Sequence, residues 1–301
     1  MTDANGGEDS ISVVIPFRGS GTELRRQVSA VAGQIDPTID EVIVVLNGAS
    51  PENESWLKTS GLTGVRIVHA VEQAGASYAR NVGALSARGE IVAFTDADDI
   101  VQPGWISGIR EAFASSQRIR AVIGSQRNRV EGVPPASSFR PPVTLPGGPL
   151  LMQTNNLAIM RETFEGLHGF DEELPFCEDR DFSFRFADAG MGYRYAENVR
   201  VDRFMPYEIR RAAGKQVNYI WWGHVVNRKH GRRDRSRLPR ALLAVCVRAP
   251  FVLTRSRMGR SLLGSSIGVI IGELKISMTQ ARSCLSQILG IRNRTFETGN
   301  F

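Results

Sequence analysis

Two acidic clusters in this 301-residue chain have the residue types and placement for chemistry. Asp96-Ala97-Asp98-Asp99 stands where an apolar run, Glu90–Thr95, comes to an end. Three carboxylates within four residues repel one another unless a cation lies among them, and hard oxygen donors suit Mg2+ or Mn2+. A cation held there would bridge a diphosphate. Taken alone, the same tetrapeptide also reads as a solvated acidic turn or a helix cap. The second cluster, Glu178-Asp179, opens a predicted helix over Asp179–Ala189 with Phe182, Phe186 and Ala189 on its buried side. Helix N-terminal amides stabilise a carboxylate, so Asp179 is expected to stay ionised at neutral pH and able to accept a proton from a hydroxyl. The plainer reading is that both acids only complement the helix dipole.

Residues so far apart in sequence need a scaffold that brings their loops to one edge. Ser12–Pro16, Glu41–Leu46, Val65–His69 and Glu90–Thr95 are short apolar runs of the kind that build a parallel sheet buried on both faces. Crossover helices fit between them. Thr22 can cap a helix whose Leu24, Val28 and Val31 share a stripe, with Gly33 as its stop; Ala76–Arg88, followed by Gly89, reads the same way. Right-handed crossovers place the loops after the strands along one edge, where ligands bind. Residues 127–150 contain six prolines and three glycines and read as a long surface loop, a candidate lid or acceptor-side segment. Thr154–Met160 is expected as a strand and Tyr193–Val201 as a closing strand pair.

Longer segments carry a family resemblance. Gly75-Ala76-Ser77-Tyr78-Ala79-Arg80-Asn81-Val82-Gly83, then Ala87-Arg88-Gly89-Glu90, then the strand and Asp96-Ala97-Asp98-Asp99, resemble the core signature of family 2 glycosyltransferases with the GT-A fold. Ser12-Val13-Val14-Ile15-Pro16-Phe17 resembles that family's opening strand and nucleotide-binding turn. Thr154-Asn155-Asn156-Leu157-Ala158-Ile159, Gly169-Phe170-Asp171-Glu172 and Glu178-Asp179-Arg180-Asp181-Phe182 resemble its acceptor-side and catalytic segments, in order, out to about Val201.

The resemblance implies an α/β GT-A domain, a mostly parallel Rossmann-like sheet flanked by helices. It implies an inverting transfer of sugar from a nucleotide-sugar donor of UDP, GDP or dTDP type to a hydroxyl of a glycan or lipid-linked acceptor, in cell-surface polysaccharide or glycolipid synthesis. Asp179 is then the catalytic base and Glu178 orients it or the acceptor. Asp98 is the direct metal ligand, Asp96 contacts the ribose or supports the metal, and Asp99 acts from further out. Arg80 is expected to reach the nucleotide, Pro16, Phe17 and Arg18 to line the first strand's exit against the base, and Asn155 and Asn156 to lie on the acceptor side. Two positions depart from the family pattern. The second strand ends Leu46-Asn47-Gly48, without the acid that often reads the base, so Asn47 is the substitute candidate. The histidine that follows the last core strand in many members has no counterpart in Val201-Asp202-Arg203-Phe204, which leaves the cation to Asp98, diphosphate and water, with Asp202 a possible helper. Competing readings are a nucleotidyltransferase, for which Arg18-Gly19-Ser20-Gly21 is only a faint phosphate loop, and a nucleotide- or carbohydrate-binding pseudoenzyme.

Charge divides the chain. Residues 1–202 hold 18 Lys and Arg against 27 Asp and Glu, while 203–301 hold 19 against 4, the whole being +6. The expected organisation is a flexible N-terminus (1–10), a catalytic domain (11–204) and a basic, mainly helical C-terminal region (205–301). In that last region Tyr207, Tyr219, Trp221 and Trp222 mix with arginines and with apolar stretches such as Ala241–Leu253. This suits helices lying on an anionic membrane surface better than a nucleic-acid face. The polar Met1–Ser10 predicts no signal peptide and, with no apolar run of spanning length, a cytoplasmic protein peripheral at the inner face of the membrane. Cys177, Cys246 and Cys284 and the four histidines show no ligand or disulfide spacing.

Overall fold

Alternating apolar residues place successive side chains of each strand on opposite faces of a sheet that is covered on both sides. The computed structural model describes residues 10–19, 21–130, 132, 134–135, 138–145, 148–205, 209–232, 267, 270–271 and 274–275. In chain order the elements are β1 (Ile11–Gly19), α1 (Glu23–Ala32), β2 (Glu41–Ala49), α2 (Pro51–Thr59), β3 (Val65–His69), α3 (Ala76–Leu85), β4 (Ile91–Phe94), β5 (Ile100–Val101), α4 (Trp105–Ala114), β6 (Ile119–Arg129), β7 (Leu157–Met160), α5 (Arg161–Gly166), α6 (Glu178–Asp188), β8 (Gly192–Phe204) and α7 (Ile209–Lys229).

The sheet order is β3-β2-β1-β4-β7-β6-β8-β5. The first four strands are parallel, as the apolar runs predict. β7 runs against both β4 and β6, and β6 runs parallel to β8. The sheet is therefore mixed, with only its first half wholly parallel. Because β7 reverses direction between β4 and β6, the C-terminal ends of β1, β4, β6 and β8 all lie on the same edge. One face is covered by α1 and α4, where Val13, Ile15, Val42 and Val44 meet Leu24, Val28, Trp105 and Ile109. On the other, Val14, Ile43 and Val45 meet Ala79 of α3 and the rings of Phe164, Phe170 and Phe182. α3 approaches β1 and β2 closely at Gly83, where a Cβ would stand 2.4 Å from Val14 Cγ1.

Three boundaries differ from the sequence expectation. β6 continues through Arg129, past the start of the presumed loop. Beyond it, bridges between Gln126 and Arg140 and between Thr144 and Leu150 tie the described part of the proline-rich stretch together. β7 starts only at Leu157, because Thr154–Asn156 is spent on a turn in which the Asn156 amide donates to Gln153 O. The expected closing pair is one strand, β8, whose pairing with β6 skips three residues between Ala196 and Arg200.

By contacts the chain forms two compact units, one holding residues up to Met205 together with His230–Arg233, the other Pro206–Lys229 and the remainder. In the first, the 230–232 turn lies on α6: His230 Nε2 is 2.9 Å from Asp181 Oδ1, and Arg232 pairs with Asp188. In the second, Ile220 and Val226 of α7 are buried and Lys275 sits 4.6 Å over the Trp221 ring. Among the described residues no helix is long and apolar enough to cross a membrane. The expected interfacial stretch Ala241–Leu253 lies outside the described residues.

Candidate active site

The aspartate loop is held from below by a residue that no sequence motif marks. Gln27 of α1 is fully buried; its Nε2 donates to Thr95 Oγ1 (2.7 Å) and its Oε1 accepts the Val101 amide (3.0 Å). The loop between those two anchors alternates. Asp96 is half-buried and Asp98 exposed, while Ala97 and Asp99 turn into the fold. Asp99 is only 3% exposed and accepts from Asn155 Nδ2 (2.8 Å) and the Phe204 amide (3.1 Å). Burial, with Asp96 and Asp98 alongside, pushes its carboxyl well above the usual range. The three carboxylates thus do not surround one point. Only Asp96 and Asp98 are turned toward the outside, and among the described residues no group of three His, Cys, Asp or Glu side chains could hold a metal.

Arg80 joins the two acidic clusters. Its guanidinium is buried, with Nη2 at 2.6 Å from Asp96 Oδ1 and Nη1 at 2.9 Å from Glu178 Oε1. Those carboxylates hold it protonated despite its burial. Both of its terminal nitrogens thus engage protein acids. The next residue, Asn81, fixes the Gly169–Glu172 turn, donating to Phe170 O and accepting the Phe170 amide. Ser77, a turn earlier, donates to Leu174 O. α3 therefore organises the approach to α6 as well as covering the sheet.

Cys177, buried, precedes α6 in the left-handed conformation (φ 65°) that non-glycine residues rarely adopt. Its carbonyl accepts the amides of Arg180 and Asp181. Asp179 Oδ1 accepts the Arg180 amide (2.8 Å). Burial, then the charge of Glu178, outweigh that amide, Arg180 and Arg80, so its carboxyl is pushed up to about 7, higher than the helix N-terminus alone would set it. Four aromatic rings fix the spacing between the two clusters. Phe94, at the end of β4, packs on Phe164 and Phe170, and both pack on Phe182 of α6, with ring centroids 5.0–5.5 Å apart.

Other expected residues divide. Pro16 is half-buried and Arg18 exposed at the exit of β1, but Phe17 is 4% exposed and packs in the core, so its ring does not face a base. Asn47 Nδ2 donates to Ala70 O and Gln73 O and its Oδ1 accepts the Gly75 amide. It holds the β3–α3 loop, with both amide hydrogens spent on backbone carbonyls. Asn156 is likewise consumed, donating to Ser125 O and Val199 O and accepting from Trp105 Nε1. Asn155 serves Asp99. Neither asparagine presents itself to an acceptor. Asp202 is no metal helper: it is buried between Arg127, which grips both its oxygens, and Arg129.

An outward aspartate pair at the sheet edge is thus linked through the buried Arg80 to the acidic start of α6. The glycosyl transferase family 2 model matches residues 12–170, just over half of the chain, and the chain belongs to that family. Over 197 residues it is 26% identical to a pre-mycofactocin glycosyltransferase of Mycobacterium tuberculosis, an alignment covering 62% of this chain and 40% of that protein. The chain thus spans well under half of that relative's length. Among solved structures it superimposes on a mannosyltransferase from Pyrobaculum calidifontis in complex with GDP-Man and Mn2+ (TM-score 0.58, 15% identity, 93% of this chain and 79% of that one). GalNAc-T7 with UDP, GalNAc and Mn2+ also matches (TM-score 0.52, 18% identity, 67% and 44%). These likenesses establish the GT-A fold.

Proposed function

We propose that the protein is a metal-dependent, inverting glycosyltransferase that moves a sugar from a nucleoside diphosphate donor to a hydroxyl of a glycan or lipid-linked acceptor. The observation that carries this reading is the connected series Asp96, Arg80, Glu178, Asp179. In it Asp179, a half-buried carboxyl with a raised pKa, directly follows Glu178, which Arg80 ties to Asp96. Asp179 takes the proton of the acceptor hydroxyl as that oxygen attacks the anomeric carbon, and one displacement at one centre inverts it. Glu178, tied to Arg80, fixes the start of α6. Asp98 and Asp96 offer hard oxygen donors that fit Mg2+ or Mn2+, with the remaining ligands left to diphosphate and water. Such a cation would supply Lewis-acid neutralisation of the leaving diphosphate. The metal and nucleotide complexes of the structural neighbours support that assignment.

The basic C-terminal third supports a second element of the proposal, docking on an anionic membrane surface at the cytoplasmic face. Arg228 and Lys229 at the end of α7 are exposed, and Trp221 and Trp222 are half-buried.

The deciding experiment is turnover of a panel of UDP-, GDP- and dTDP-sugars by purified protein with Mn2+, alongside Asp98→Ala and Asp179→Asn. Losses of about a hundredfold or more are expected in both variants, and the product anomer read by NMR should be inverted. Unchanged turnover in both variants would sink the mechanism.

A further inference from the structure

When the glycosidic bond breaks, its electron pair stays on the diphosphate oxygen, and that growing charge needs positive groups aimed at it. Arg80 spends its terminal nitrogens on Asp96 and Glu178 and shares its charge with those two acids. A different arginine group stands at the same sheet edge. The Phe204 amide donates to Asp99 Oδ1 (3.1 Å), so the end of β8 is fastened to the aspartate loop. The Phe204 ring carries Arg26 of α1 at 5.3 Å and Arg129 of β6 at 5.7 Å. Arg203 is close enough to pull down the Asp99 carboxyl against its burial.

The positive charge beside the ring exceeds what Asp202, the acid with which Arg129 pairs, can cancel, because Arg127 pairs with it too. Asp202 is already gripped at both oxygens by Arg127, and Arg129 reaches it with Nη1 alone; its Nε is buried without a hydrogen-bond partner. Arg26 is exposed and forms no ion pair among the described residues. An aromatic ring between two guanidiniums fixes their planes and leaves N–H edges for phosphate oxygens. Charge fixed in place before reaction stabilises a developing anion without reorganisation.

The geometry points to a second, protein-built cationic site for the donor's diphosphate, made by Arg26 and Arg129 around Phe204 with Arg203 adjoining, and working beside the metal rather than through it. The inference rests on the donor reading above and assigns to this chain's β8 end, where family members often carry a histidine, an anion-holding role.

Calorimetric titration of the full chain with UDP, GDP, dTDP, the corresponding nucleosides and inorganic pyrophosphate, each with Mn2+ and with EDTA, tests it. The matching nucleoside diphosphate and pyrophosphate should retain measurable binding in EDTA. Arg26→Ala and Arg129→Ala should each lower diphosphate affinity roughly tenfold, as loss of a charge-assisted contact does, and leave nucleoside binding unaltered. Arg26→Lys should fall between, keeping the charge and losing the planar stack. Arg26 is exposed, so its variants report on binding even if Arg129→Ala proves unstable. Diphosphate affinity equal to wild type in the Arg26 variants, or no wild-type binding in EDTA, overturns the inference while leaving the donor reading intact. Failure of all three nucleoside diphosphates to bind wild type with Mn2+ overturns the donor reading, and this one with it.

Discussion

Asp179 sits under opposing influences. The α6 amides and Arg80 favour its carboxylate, burial and Glu178 oppose it, and the balance lies at about 7. A base with that pKa is half-charged near neutrality, so kcat/KM should fall about tenfold per pH unit below an acid limb near 7. Linkage gives a second consequence. The folded value lies above the ordinary 3.8, so the folded chain holds this proton more tightly than the unfolded one. The stabilisation is complete below the ordinary value and disappears as pH rises through about 7. Asp179→Asn, neutral at every pH, should abolish turnover yet raise stability above neutrality by on the order of 1 kcal/mol, some 2–4 °C in Tm. A lower Tm at pH 8 would contradict the burial argument. Arg80→Met leaves Asp96 and Glu178 facing each other without their shared cation. Both Tm and turnover should drop, turnover by about a hundredfold, while Arg80→Lys, reaching one acid but not both, should recover part of each. The places of Asp98 and Asp179 are legible in the sequence, because a strand end and a helix start stand at the edge where open α/β sheets bind their ligands. Asn47, Asn155 and Asn156 are not, because an amide donates and accepts equally well to a ligand or to its own backbone, and only the folded geometry distinguishes the two.

At the scale of elements, α1 carries a signal that is easily undervalued. Gln27 shares the stripe of Leu24, Val28 and Val31, and a polar residue on an apolar face must find partners. It finds Thr95 and Val101, on either side of the aspartate loop. Gln27→Leu keeps the volume and strands those two groups, at a cost of about 1–3 kcal/mol. Mn2+-supported donor binding should weaken more than Tm alone would indicate; a fall in Tm with unchanged donor affinity would show that Gln27 only stabilises. The parallel half of the sheet is legible from four β-branched runs, whereas the reversal at β7 is not. Four residues, Leu157–Met160, carry no mark of direction, and direction is set by β4 and β6 on either side. The full length of β6 is hidden in the sequence because Arg127 and Arg129 look solvent-bound, yet each is drawn in by Asp202 and by a ring, Phe139 or Phe204.

Across the whole chain the informative charge count is the divided one. An acidic first two-thirds and a third with 19 cations against 4 acids together predict salt-sensitive association with anionic surfaces. Full-length protein should sediment with vesicles containing phosphatidylglycerol at low ionic strength and be released by about 0.5 M salt, with little binding to neutral vesicles. Equal sedimentation with both vesicle types, or none with either, would refute the docking proposal. Composition carries only that prediction, whereas the fold of residues 12–170 is announced by motif order.

The four stacked phenylalanines give the molecule a property that neither acidic cluster has alone. Phe94 adjoins the aspartate loop and Phe182 lies one turn into α6, so the distance between the proposed metal ligands and the proposed base is a dimension of the hydrophobic core. Close-packed interiors yield little. Reach across the proposed site is therefore gauged by aromatic rings in the core, and on the proposed reading trimming one of them, as in Phe164→Leu, would alter the fit between donor and acceptor before it altered either acidic cluster.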